Sequence, residues 1–167
     1  MSGLARDTAA NVVAEAIAKG LTVATAESLT AGMVAATLAN TPGASGMLQG
    51  GVVAYQNSVK SAVLGVPEPL LAKAGSVDAD VARAMAEGAR AACGADIGVS
   101  TTGVAGPDAH DGKEVGTVYI AVASGKGSEA FGYAFSGGRA EIREQAAAAA
   151  LARVLELLRR TELPQVK

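Results

Sequence analysis

The chain has 167 residues, half of them hydrophobic and 18% charged, a composition that excludes a disordered chain and suits one globular domain with a real core. Its net charge of −2, without a basic block, and its three Tyr, two Phe and no Trp exclude a nucleic-acid surface built on phosphate neutralisation or base stacking. A single Cys93 permits no internal disulfide and fits a reducing compartment. The start, Met1 to Asp7, lacks the shape of a signal peptide, and no apolar run reaches membrane-spanning length. The expectation is a cytoplasmic protein that binds neither membrane nor nucleic acid.

Residues 6–19 predict a helix with Val12, Val13, Ala16 and Ile17 on one face and Gly20 as its stop. The β-branched run 21–26 predicts a strand, and the Ala- and Leu-rich 29–39 a helix closed by Asn40-Thr41-Pro42-Gly43. Gly46 to Tyr55 predicts a buried strand, bulged at Gly50-Gly51. A short helix over 57–64 breaks before Pro67, and Ser76 or Asp78 caps a long one ending at Cys93. Asp96 to Thr102 predicts a strand running into a glycine-rich loop. Residues 115–123 and 129–135 form a hairpin across Ser124–Ser128. In 139–160, Ile142, Ala146, Ala150, Val154 and Leu158 recur four apart, the mark of an amphipathic helix. Helices before, between and after strands imply three α/β/α layers, and the hairpin makes the sheet mixed.

Three polar residues fall where such sheets bind ligands, outside the carboxyl ends of the strands: Ser28, Tyr55 and Thr102. Lys60, about one helical turn beyond Tyr55, reaches the same rim. Each has a plainer reading. Ser28 is either a helix cap or a functional hydroxyl, and position 31 is Ala, so no capping box supports the cap. Lys60 alone reads as a surface charge, and Tyr55 as an amphipathic strand end. The loop "TTGVAGPDAHDG" (101–112) reads either as a connection or as a run of anion-binding amides. His110 has no partner His or Cys, so no metal is expected, and Cys93 reads as a small buried hydrophobe. Arg139 and Arg143 pair with Glu141 or Glu144, or serve an anionic ligand. They open the last helix, where the dipole disfavours cations.

Five ordered blocks carry a resemblance: "AESLTAG" (26–32), "GGVVAYQNSVK" (50–60) with "LGV" (64–66), "STTGVAGPD" (100–108), "VGTVYIA" (115–121) and "FSGGRAEIR" (135–143). Together they resemble the CinA C-terminal domain family, whose studied activity is nicotinamide-nucleotide amidohydrolase, over about residues 8–160. The resemblance implies a three-layer α/β/α sandwich around a mixed, mostly parallel sheet of about five strands, of the anticodon-binding-domain type. It implies deamidation of nicotinamide mononucleotide (NMN) without metal or cofactor. The nucleophile then corresponds to Ser28, with Lys60 as base and Tyr55 relaying or orienting the proton. Thr30, Gly32, Thr102, Gly103, Gly106, Arg139 and Arg143 are the substrate-binding positions, one arginine holding the phosphate. Backbone amides of a helix opened by Ser28 are expected to stabilise the oxyanion. The high apolar content makes a homo-oligomer plausible. Ala31 stands where the family often has glycine, the loop 108–114 lacks the usual Pro-containing run, and the nucleotide-pyrophosphatase domain of many relatives has no counterpart in these 167 residues.

Overall fold

The computed structural model describes residues 1–163. In chain order the elements are α1 (Gly3–Lys19), β1 (Val23–Glu27), α2 (Met33–Ala39), β2 (Leu48–Val53), α3 (Asn57–Ala62), α4 (Glu68–Ala74), α5 (Ala79–Cys93), β3 (Ile97–Gly103), β4 (Thr117–Ser124), β5 (Gly127–Ala134) and α6 (Arg139–Arg160). The five strands form one sheet in the order β2-β1-β3-β4-β5. β1 pairs in parallel with both β2 and β3, whereas β3–β4 and β4–β5 are antiparallel, so four of the five strands share one direction.

Helices cover both faces. One face packs Val23, Ile97, Val99, Val118, Ile120 and Val122 against α1, α2 and α6. Full burial of each such aliphatic side chain is worth about 1.5–3 kcal/mol. The other face is lined by small residues, Ala24, Ala26, Ala121 and Ala123, and receives α5. Here the alanine-rich composition has its cause. A Cβ on Gly98 would lie 2.0 Å from the Ala86 carbonyl oxygen of α5, so the helix sits on the sheet only over a residue without a side chain.

The last helix runs over the span its apolar period predicts. α4, a single short helix capped by Pro67, is an element that the apolar pattern does not predict. The hairpin is tighter than expected, since Ser124 pairs with Gly127 across a two-residue turn. The bulge in β2 falls one residue early: pairing passes from Val23–Leu48 to Ala24–Gly50 and skips Gln49. Gly51 pairs with Thr25, whose Oγ1 would lie 2.4 Å from any Cβ placed at position 51.

The largest departure follows β1. The helix expected from Leu29 starts only at Met33. Residues 29–32 form a turn, with Ala31 at φ 48° and Gly32 at φ 98°, both left-handed and both unable to continue a right-handed helix. Asp78, not Ser76, caps α5, accepting from the Asp80 and Val81 amides.

Candidate active site

The turn that delays α2 also decides what Ser28 is. The N-cap of α2 is Gly32, which supplies no side-chain bond, so Ser28 is not the cap. Its capping work is done by Glu27. This buried carboxylate accepts from the Val34 amide at 2.8 Å and the Ala35 amide at 3.1 Å, and from the Thr30 hydroxyl at 2.6 Å. With the amides of α2 satisfied, its N-terminus is closed to a ligand. Ser28 is anchored by its own N–H, which donates to the Thr101 carbonyl of β3 at 3.0 Å. Strand alternation sends Glu27 toward α2 and leaves the Ser28 hydroxyl free for another partner.

That partner is Lys60. Its Nζ donates to Ser28 Oγ at 3.1 Å and to the Tyr55 carbonyl at 3.1 Å. Lys60 is 1% exposed, and burial lowers its pKa from 10.5 to about 8. α3 places it there: the helix begins one residue after the Gln56 cap, and its only buried residue is Lys60. A buried lysine with no carboxylate partner among the described residues, hydrogen-bonded to a serine hydroxyl, is an amine prepared to take a proton.

A cleft of about 220 Å³ opens above this pair, lined among others by Ser28, Tyr55, Ser76, Gly106, His110 and Arg139. Gly103, Val104, Ala105 and Asp108 complete one wall. Ser28, Tyr55, Gly103, Gly106 and Arg139 are therefore brought together as the sequence implies. Tyr55 differs in detail. Its carbonyl meets Lys60, while its phenol accepts from Arg139 Nη2 at 2.8 Å. Arg139 Nη1 also donates to the Gly106 carbonyl at 2.6 Å.

Four expected ligands lie outside the lining. Thr30 Oγ1 is buried between Glu27 and Thr101 Oγ1, the latter at 2.8 Å. Thr102 Oγ1 donates to the Ser76 carbonyl at 2.6 Å. Arg143 Nε donates to the Leu29 carbonyl at 2.8 Å and holds the turn behind the serine. Gly32 supplies the left-handed cap of α2. These residues shape the rim from behind.

Conversely, Glu27, Ser76, Asp108 and His110 escaped the sequence reading as site residues. Glu27 was legible only as the acid beside the serine, because the amides it binds lie seven and eight residues away. A larger cavity of about 630 Å³ opens at the opposite end of the sheet, between Leu21, Asp96 and the Gly125-Lys126 turn, and holds none of these residues. Among the described residues no three His, Cys, Asp or Glu cluster closely enough to hold a metal ion. No described helix is long and apolar enough to cross a membrane.

The profile of the CinA C-terminal domain matches residues 5–158. The chain belongs to the CinA C-terminal domain family. A CinA-like protein of Anaeromyxobacter sp. (strain K) is 53% identical over 141 residues, 84% of this chain and 35% of the relative. A CinA-like protein of Geobacter sulfurreducens is 48% identical over 134 residues, 80% of this chain and 32% of the relative. The chain thus spans about a third of the length of the curated relatives it matches. In structure it is similar to the competence/damage inducible protein CihA of Agrobacterium tumefaciens, with TM-score 0.91, 32% identity, and 96% and 98% of the two chains covered. The competence damage-inducible protein A of Klebsiella pneumoniae superposes equally well, at TM-score 0.91 and 31% identity, over 95% and 99% of the chains. The α/β/α sandwich of this CinA domain is therefore the fold of its family.

Proposed function

We propose that this CinA domain hydrolyses the carboxamide of NMN to nicotinate mononucleotide and ammonia by a serine–lysine mechanism. The observation that carries the reading is the buried Lys60 amine 3.1 Å from Ser28 Oγ at the floor of the cleft. Neutral Lys60 takes the Ser28 proton as Oγ bonds to the carboxamide carbon. The Leu29 amide, beside the nucleophile and without an acceptor among the described residues, is the donor we assign to the oxyanion. Collapse breaks the C–N bond, and the Lys60 ammonium returns its proton to the departing nitrogen, releasing ammonia. Water, deprotonated in turn by Lys60, then attacks the ester on Ser28, and the carboxylate leaves as Oγ recovers a proton. Arg139, at the mouth, is the group assigned to the phosphate.

Ammonia release from NMN by the purified protein tests this reading. The wild type is expected to release it, and Ser28→Ala to lose roughly 10³-fold or more while staying folded, since Ser28 caps no helix. Activity within a few-fold of wild type in a folded Ser28→Ala protein would overturn the assignment.

A further inference from the structure

The connection between β3 and β4 forms one wall of the cleft, and it is tied down twice. Near its start Arg139 holds the Gly106 carbonyl. Farther along, Asp111 Oδ2 accepts from the Ser76 amide at 3.1 Å and from the Ser76 hydroxyl at 3.2 Å. The amide bond above all keeps the Asp111 carboxyl below the usual carboxylate range. Both sides are shaped for this contact. Asp111 adopts φ 50°, a left-handed conformation that Asp enters more readily than most residues with a Cβ. Across from it, a Cβ on Gly75 would sit 2.9 Å from Asp111 Oδ2. Ser76 is itself fixed, through its carbonyl, by Thr102.

Between the two ties the chain carries Asp108 and His110 into the cleft lining. His110 exchanges backbone bonds with Lys113, at 3.1 and 2.8 Å, and its Nε2 lies 3.3 Å from Asp111 Oδ2. The imidazole, 64% exposed, thus lies beside the same carboxylate that grips Ser76. None of these groups hydrogen-bonds to Ser28 or Lys60, which stand just after β1 and on α3. A substrate whose carboxamide must reach Ser28, only 9% exposed at the floor, leaves its other end at the exposed mouth beside Arg139 and His110.

We propose that Ser76 and Asp111 form a clasp that positions His110 as a specificity-determining residue for the ribose-phosphate end of the substrate. This rests on the deamidase reading for the orientation of the nucleotide. Protonated His110, with Nε2 turned to Asp111, then donates its other ring N–H to oxygens of the ribose phosphate at the mouth that Arg139 also lines, and the clasp removes the entropy cost of ordering the loop on binding.

The test uses Asp111→Ala and His110→Ala in the full chain, with NMN, nicotinamide riboside and amide hydrogen exchange. Asp111→Ala is expected to raise KM for NMN about tenfold at little-changed kcat, and to speed exchange in residues 104–114. His110→Ala is expected to raise KM for NMN more than for the riboside, without altering exchange in the loop. Asp111→Ala with wild-type KM or wild-type exchange would overturn the clasp, and so would kcat falling with unchanged KM. Equal KM increases for the two substrates would overturn the role of His110. If the wild type releases no ammonia, the deamidase reading fails by itself. The clasp is then judged by calorimetric NMN binding, where wild-type affinity in Asp111→Ala overturns it.

Discussion

Lys60 and Ser28 are 32 residues apart in sequence and 3.1 Å apart in space, and each is where it is because of a different local device. Ser28 directly follows β1 and is bonded through its amide to β3, whereas Lys60 rides on the short helix that follows β2. β1 and β2 are adjacent and parallel, so both ends arrive at one rim. The topology supplies the proximity, and burial lowers the lysine pKa.

Glu27 is the first place to test that arrangement. Its carboxylate closes the N-terminus of α2 and fixes Thr30, and so holds the turn beside Ser28. In Glu27→Gln one acceptor oxygen becomes an N–H donor facing groups that also donate. The expected result is a loss of about 1–3 kcal/mol in urea denaturation, with kcat reduced and KM little changed. Wild-type stability would show that the carboxylate bonds are dispensable.

Much of this was legible in the sequence, for identifiable reasons. The span of α6 follows from an apolar residue every four positions, and the rim follows from the rule that ligands gather beyond strand ends. The start of α2 was not legible. Ala and Leu favour helix at 29–31, but the left-handed pair Ala31-Gly32 and the reach of Glu27 across seven residues override that propensity. The inward turn of Thr30 and Thr102 was equally hidden, because a motif gives position and not the direction of a hydroxyl. Nor does spacing reveal the Ser76–Asp111 contact, which joins residues 35 apart through loops.

Arg139 already donates to the Tyr55 phenol and the Gly106 carbonyl, two of its five N–H donors. Arg139→Ala is expected to weaken NMN binding by roughly 10–100-fold and nicotinamide riboside binding much less. Calorimetric titration of both ligands decides this. Equal losses would mean that the arginine only braces the wall.

Burying Lys60 should cost stability. Its pKa is about 8 folded and 10.5 in the free side chain. The unfolded chain therefore holds the proton more tightly, and the penalty is full below pH 8 and fades as pH rises toward 10.5. A shift of that size is worth at most about 3 kcal/mol, offset by the two hydrogen bonds Lys60 makes. Lys60→Met is thus expected to be inactive yet more stable by about 1–2 kcal/mol at neutral pH, with the gain shrinking at high pH. A less stable Lys60→Met at neutral pH would contradict this.

The pH dependence of kcat/KM for NMN tests the central assignment most directly, because it reports the free-enzyme pKa of the base. With Lys60 as base the rate should rise with pH to a plateau, inflecting near 8. Lys60→Arg, which keeps the charge and cannot lose its proton at working pH, should be nearly as inactive as Lys60→Ala. A flat wild-type profile between about pH 6.5 and 9.5, or an active Lys60→Arg enzyme with the wild-type profile, would contradict the serine–lysine account.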